Sequence, residues 1–167
     1  MLEVLGVVSK SGGTERLAVL RNEMAKSMED GCGIYRLGTT MRVTCDKIDE
    51  LRQRYKNLKL EDKSKVYNTE WLLGIELGYL LEVAQVIVYS AINRKESRGS
   101  HQRLDGFEER DDANFLKHSL AFYSGDGAPR IEYGEVKITK SKPGTRAYGA
   151  AGVKADEDRK KQGAANG

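Results

Sequence analysis

Cysteine, histidine and proline are scarce in this chain of 167 residues, which contains two of each. Two cysteines cannot form a disulfide framework, and neither Cys32 nor Cys45 has a nearby histidine for a zinc site. Only His101 and His118 are available as histidine bases, and no nucleophile elbow or phosphate-binding loop is present. The sequence therefore offers few groups for catalysis, and it favours reduced thiols.

Neither sign of charge is in excess, since 28 basic residues face 25 acidic ones and the formal net charge is +3. The charges are interspersed, which disfavours nucleic acid as a partner. No run approaches the roughly 18 apolar residues of a membrane span, and the first residues lack the pattern of a signal peptide. These observations predict a soluble, cytoplasmic chain.

Helical periodicity dominates from Thr14, which is a plausible N-cap for a first helix. Its apolar residues share one face, and Gly31 and Gly33 stop it. A second helix opens at Thr39 or Thr40 and carries a one-sided apolar stripe, with charged residues on the opposite face. The first stripe is Leu17, Leu20, Met24 and Met28; the second is Met41, Cys45, Ile48, Leu51, Tyr55 and Leu58.

The third predicted helix begins at Asn68 and is apolar nearly all the way round between Trp71 and Ile92. Such a helix must be covered on all sides, and two amphipathic helices can cover only part of it. The remaining face needs the later strands, a partner surface or a second copy, so the isolated domain is expected to be able to self-associate.

The C-terminal part changes to strand periodicity and then loses its apolar residues. The alternation between Arg130 and Thr139 slips by one residue near Gly134, which predicts a hairpin with a bulge. We therefore predict a mainly α fold, a three-helix bundle running up-down-up as in a spectrin repeat, followed by a short β-hairpin and a disordered tail. The expected divisions are 1–13 as the end of an upstream element or a linker, 14–140 as the helical domain, and 141–167 as the tail.

A dense polar run between Arg94 and Asp112 follows the third helix, with nearly balanced charges that form either an ion-pair network or a solvated surface. Gly99 lies where a positive φ is needed, and the arginines can bind carboxylates or carbonyls with two hydrogen bonds. These features suit a docking surface, whereas no catalytic, cofactor-binding or metal-binding residue is assigned. The docking candidates are Arg94, Arg98, His101, Arg103 and Arg110.

Residues 94–101 (Arg-Lys-Glu-Ser-Arg-Gly-Ser-His) and 109–118 (Glu-Arg-Asp-Asp-Ala-Asn-Phe-Leu-Lys-His) resemble the C-terminal region of flavoprotein subunits in the fumarate reductase and succinate dehydrogenase family. Residues 28–36 and 67–69 fit the same pattern, so the resemblance covers roughly 14–148. Ser100 replaces the usual alanine. The run 101–105 and the ending Ala-Asn-Gly are more similar to bacterial fumarate reductase, and L-aspartate oxidase is a weaker match.

The resemblance implies a complete subunit that reduces fumarate to succinate by hydride transfer from FAD in anaerobic respiration. Electrons would arrive from an iron–sulfur subunit, with membrane anchor subunits as indirect partners and the complex peripheral on the cytoplasmic face of the inner membrane. The family's flavin-binding and substrate-binding motifs lie upstream and match no segment here.

On this resemblance the chain itself is a C-terminal domain without cofactor, inactive alone, that docks on the flavin domain. The alternatives are the same domain of a succinate dehydrogenase or an L-aspartate oxidase, or a stand-alone helical interaction module.

Overall fold

Three long helices and one short helix account for the predicted mainly α fold in the computed structural model, which describes residues 13–140. The helices are α1 (Leu17–Cys32), α2 (Gly38–Tyr55), α3 (Thr69–Asn93) and α4 (Asp112–Phe115). The chain divides into two compact units, Met1–Val136 and Lys137–Gly167. The expected N-terminal element, up to residue 12, and the expected tail from residue 141 lie outside the described residues.

The ends of the helices follow the sequence signals in part. Asn68 caps α3 as expected, because its side chain accepts a hydrogen bond of 2.7 Å from the backbone N–H of Trp71. The expectation that Thr14 caps α1 is wrong, because residues 15 and 16 form a strand and the helix begins at Leu17. That strand is held by a backbone hydrogen bond of 3.0 Å from Glu15 to Asn57.

Consecutive long helices run antiparallel. Glu23 of α1 pairs with Lys47 near the middle of α2, whereas Glu15, just before α1, pairs with Arg54 at the end of α2. The Tyr55 hydroxyl donates to the carbonyl of Gly74 near the start of α3 over 2.9 Å. The bundle therefore runs up-down-up, as the sequence predicts.

Two apolar clusters fill the space between the helices, and the six-residue stripe predicted for the second helix is entirely buried. The stripe of α1 contributes Leu20 and Met24 as buried residues, with Leu17 and Met28 packed at the edge. From α3 come Leu77, Leu81, Ala84, Val88 and Ala91. Helical periodicity thus identifies the core correctly.

The inward side of α3 is buried, while its outward side keeps apolar residues exposed, so the prediction that α1 and α2 cover only part of it is confirmed. Contrary to the sequence expectation, α3 is long and apolar enough to cross a membrane by length and composition. Length and composition do not distinguish a membrane span from the core helix of a soluble bundle. In this structure α3 packs against α1 and α2.

Six short strands complete the described part of the chain. β1 (Glu15–Arg16) pairs in parallel with β3 (Leu58–Lys59), and β2 (Tyr35–Arg36) with β4 (Gln102–Arg103). β5 (Lys117–Phe122) and β6 (Arg130–Glu135) form the predicted hairpin.

The predicted bulge near Gly134 is wrong, because the two hairpin strands pair residue for residue and Gly134 pairs with His118. The slip in alternation comes instead from Val136 and Ile138, which lie beyond the last residue of the strand, Glu135. A Cβ at 134 would lie 3.1 Å from a methyl carbon of Leu120, so a larger residue there would require a small shift of that side chain.

Candidate docking site

The polar run after α3 folds back over the connection between α1 and α2. The N–H of Gln102 donates to the carbonyl of Ile34 over 3.1 Å, and the N–H of Leu104 donates to Arg36 over 2.9 Å. Gly99 has a φ of 61°, as predicted, within a tight turn closed by two backbone hydrogen bonds between Arg98 and His101. The run is therefore an ordered loop fixed to the bundle.

Glu96 is the centre of this loop and is completely buried. Its carboxylate accepts hydrogen bonds from the Arg94 and Arg98 guanidiniums and from the backbone N–H of Asp111. Burial alone would raise the pKa of Glu96, but the hydrogen bonds from Arg98, Asp111 and Arg94 hold it below the ordinary value. The carboxylate is thus ionised and fully engaged, and we call these four residues the Glu96 cluster.

The two arginines of the Glu96 cluster connect it to the rest of the chain. Arg94 donates to the carbonyls of Phe115 and Lys117 over 2.9 and 2.7 Å, which ties the hairpin to the end of α3. Arg98 donates to Asp112 over 2.6 Å, and Arg110 binds the other oxygen of the same carboxylate at the same distance. These contacts hold α4 beside the loop.

Arg103 is a second buried charged residue, with only 3% of its surface exposed. It binds the Asp105 carboxylate with two hydrogen bonds of 2.8 and 2.6 Å and donates to the carbonyl of Arg94 over 3.1 Å. Asp105 in turn accepts a 2.7 Å hydrogen bond from the backbone N–H of Gly38, the first residue of α2. A carboxylate is stabilised at that end of a helix, and the hydrogen bond from Arg103 lowers the pKa of Asp105.

His101 lies between arginines in the interior of the loop. Its Nδ1 is 2.7 Å from Nη1 of Arg36, and its Nε2 is 3.1 Å from the carbonyl oxygen of Arg94. Guanidinium is only a donor, so we assign Nδ1 as the acceptor and place the proton on Nε2. Burial, with the charges of Arg36, Arg103 and Arg94, lowers the pKa of His101, so the ring is neutral.

The structure brings the five predicted docking residues together, and each makes a hydrogen bond or ion pair within the chain. Of the two readings of the balanced charges, the ion-pair network is the one observed. The main partners that sequence reasoning missed are Arg36, Glu96 and Asp105. Arg36 lies in one of the resembling segments, but its pairing with His101 is a long-range contact. Whether the loop docks on another surface stays a prediction.

The chemistry available to the described residues is limited. No group of three or more histidine, cysteine, aspartate or glutamate side chains that could hold a metal ion occurs in the range 13–140. Cys32 and Cys45 are buried, and burial raises the pKa of Cys45 to about 11, which makes it a poor nucleophile at neutral pH. The arrangement is suited to holding backbone segments in place.

One exposed feature escaped the sequence analysis. Tyr67, just before α3, is 96% exposed and has a φ of 56°, the one positive φ among the described non-glycine residues. Val66 beside it is also exposed. The Tyr-Asn-Thr segment carries part of the family resemblance, but no sequence signal indicates the conformation of Tyr67, because tyrosine is uncommon in the left-handed region.

Comparison with known proteins places these features in a family. The sequence model described as "Fumarate reductase flavoprotein C-term" matches residues 21–148. The fumarate reductase flavoprotein subunit of Serratia sp. (strain ATCC 39006) is 55% identical over 98% of this chain and 27% of that protein. The corresponding subunit of Escherichia coli K12 is 51% identical over 90% of this chain and 25% of its own length. A succinate dehydrogenase flavoprotein subunit of Coxiella burnetii is 39% identical over 72% of this chain and 20% of that protein.

Solved structures agree in fold. A variant of the FrdA subunit of E. coli quinol fumarate reductase matches with a TM-score of 0.80 and 51% identity, over 84% of this chain and 24% of that one. A quinol–fumarate reductase solved with menaquinol matches with a TM-score of 0.76 and 52% identity, over 81% of this chain and 24% of that one. The chain thus spans about a quarter of the length of the relatives it matches.

Proposed function

Because this chain belongs to the family of fumarate reductase flavoprotein C-terminal domains, we propose that it serves as the docking domain of a complete subunit that reduces fumarate to succinate with FAD. About three quarters of each relative's length lies outside the part that this chain matches. The flavin and the substrate are then bound in that other part, and this chain docks on it as a structural domain.

The observation that carries the proposal is that the polar side chains of the loop bind partners within the chain itself. Glu96, Arg103 and His101 are all buried and bonded to partners within the chain. A substrate or flavin site needs polar groups aimed at a ligand, and this arrangement does not fit one. We therefore assign no step of the reaction to these residues. Their proposed role is to hold the loop, the hairpin and the helix ends in a fixed arrangement.

Fumarate is the proposed substrate because the Serratia and E. coli fumarate reductase subunits are 55% and 51% identical to this chain, against 39% for the Coxiella succinate dehydrogenase subunit. The partners proposed for the complete subunit are its own flavin domain, an iron–sulfur subunit and, indirectly, membrane anchor subunits. The proposed location is the cytoplasmic face of the inner membrane.

The test compares the 167-residue chain with the complete subunit that carries it. The purified chain should show no flavin absorbance and no fumarate-dependent oxidation of a reduced viologen dye, and the complete subunit should show both. A yellow, active preparation of the chain alone would contradict the docking role. A complete subunit that oxidises succinate but does not reduce fumarate would favour the succinate dehydrogenase alternative.

A further inference from the structure

Four sulfur-containing side chains lie together in the bundle. Met28 and Cys32 are four positions apart on α1, so they share one face of that helix. Met41 and Cys45 are related in the same way on α2. Met41 and both cysteines are buried in one apolar cluster, and Met28 packs against it. We call these four residues the sulfur cluster.

The contacts between α1 and α2 place the two pairs at matching heights. The Thr44 hydroxyl donates to the carbonyl of Ser27 over 3.1 Å. A Cβ on Gly31 would lie 3.0 Å from the carbonyl oxygen of Thr40, so the two backbones approach closely. Each member of the sulfur cluster follows one of these contact residues by one position, which turns a helix by about 100°. Because the helices are antiparallel, these turns bring both pairs to the side that α3 covers, and each cysteine lies opposite a methionine of the other helix.

The concentration of sulfur in this cluster is not a general property of the core. The chain has four methionines and two cysteines, and four of these six side chains form the sulfur cluster. The other apolar cluster among the described residues has ten buried members and one sulfur atom, that of Met24. Mainly leucine fills that cluster, so the packing of these helices does not in itself require sulfur.

Sulfur ligands determine which metal ion this arrangement suits. Thiolates and thioethers are soft ligands that select Cu(I), and the flexible methionine side chain can adjust to an ion. Histidine, cysteine and carboxylate side chains alone form no group of three among residues 13–140, so harder ions have no comparable site there.

Two arginines provide positive charge near the two thiols. Two thiolates with one Cu(I) ion carry a net negative charge, which is costly in an apolar core. Burial raises the pKa of both cysteine thiols, and the charge of Arg36 opposes that rise in pKa at Cys32. Arg42 opposes the rise in pKa at Cys45. The same two charges favour a bound copper–thiolate group.

We propose that the sulfur cluster binds one Cu(I) ion, with Cys32 and Cys45 as thiolate ligands and the two methionines as thioether ligands. Each thiol loses its proton to solvent as its sulfur binds, and copper stays as Cu(I), so no oxidant or reductant is needed. Cys32 is the last residue of α1 and keeps 6% exposure, so an ion can enter at that end of the helix. Neither flavin nor fumarate takes part, so the copper site stands or fails independently of the proposed function.

A chelator competition tests the site in the 167-residue chain. The reduced chain, kept without oxygen, is titrated with Cu(I) in the presence of bicinchoninate, a chelator that changes colour when it binds this ion. We expect one Cu(I) per chain to be withheld from the chelator and the melting temperature to rise, since an ion that binds only the folded chain stabilises it. In urea the unfolded chain should hold copper at least about tenfold more weakly, because its sulfurs are no longer held together. Equal retention by folded and unfolded chains, or no retention by the folded chain, would overturn the proposal.

Substitutions at matched positions identify the ligands. Cys45→Val removes a thiolate but keeps a small apolar side chain, and it should weaken Cu(I) binding about a hundredfold or more. Met41→Leu nearly conserves volume and should weaken binding about tenfold. Met24→Leu makes the same change in the other apolar cluster and should stay within about twofold of the parent. Unchanged affinity in Cys45→Val, or equal affinities in the two leucine variants, would exclude the proposed ligands; the melting temperature of each variant without copper verifies that it is folded.

Discussion

Two ion-pair clusters of opposite design hold the two ends of this bundle. In the first, which we call the Arg54 cluster, the guanidinium of Arg54 binds the carboxylates of Glu15, Glu23 and Glu50. The side chain of Arg54 is 27% exposed. In the Glu96 cluster one fully buried anion binds two arginines and a backbone N–H. The difference in exposure decides what each cluster does.

Ion pairs that keep contact with water contribute little stability individually and are screened by salt. The Arg54 cluster therefore fastens elements that already pack together, namely β1, α1 and α2. Its effect is visible in Glu23, whose pKa falls to about 2 because of hydrogen bonds from Arg54 and Lys47. A buried carboxylate, by contrast, is costly unless every partner is present, so the Glu96 cluster specifies one arrangement of its loop.

The largest effect is predicted for Glu96→Gln. The substitution keeps the shape but removes the charge that Arg94 and Arg98 share, and breaking a buried ion pair on one side costs about 3 kcal/mol or more. Since Arg94 keeps its bonds to two carbonyls, we expect a loss of about 3 kcal/mol in the free energy of unfolding, measured by urea titration. A loss no larger than that caused by removing the Arg54 guanidinium would show that burial makes no difference between the two clusters.

A smaller effect is predicted for Arg54→Gln, which leaves three carboxylates close together at a partly exposed site. We expect a loss of about 1 to 2 kcal/mol at low salt, because several pairs of up to about 1 kcal/mol each are removed. In 1 M NaCl the loss should shrink by about half or more. Arg42→Gln makes the same charge change at an exposed position of α2 and should cost less; equal losses would indicate that only net charge matters.

The smallest effect is predicted for pH. Because burial and neighbouring arginines lower the pKa of His101 in the folded chain, the unfolded chain binds this proton more readily. Stability contributed by the neutral ring is therefore present above about pH 6.5, the ordinary pKa of histidine, and is lost as pH falls through the lower, folded value.

Between pH 7.5 and 5.5 we expect His101 to lower the free energy of unfolding as the pH falls, measured by urea titration at each pH. His101→Gln should remove that part of the pH dependence, while His118→Gln, at an exposed position, should keep it. The same slope in all three proteins would contradict the assignment.

Local patterns were enough to predict the bundle. The stripe from Met41 to Leu58 is buried as expected, and Asn68 caps α3, because helical spacing and capping act over a few neighbouring residues. The exposed side of α3 was also predictable, since a helix apolar all round exceeds what two amphipathic neighbours can cover.

Long-range contacts account for what the sequence did not show. Arg36 meets His101 across 65 positions, and Asp105 meets Gly38 across 67. The pairing of β1 with β3 displaced the start of α1 from Thr14, and nothing near Thr14 in the sequence indicates that pairing. Tertiary contacts of this kind override local propensity.

The measurement that tests the central claim most directly is Arg98→Ala in the complete flavoprotein subunit. Arg98 binds both Glu96 and Asp112, so its loss should loosen the loop and lower the yield of assembled, flavin-containing subunit. Turnover of fumarate per bound flavin should stay within about twofold of the parent, since a supporting residue makes no contact with the reacting atoms. Unchanged assembly together with a large loss of turnover per flavin would contradict the structural role and indicate direct participation in catalysis.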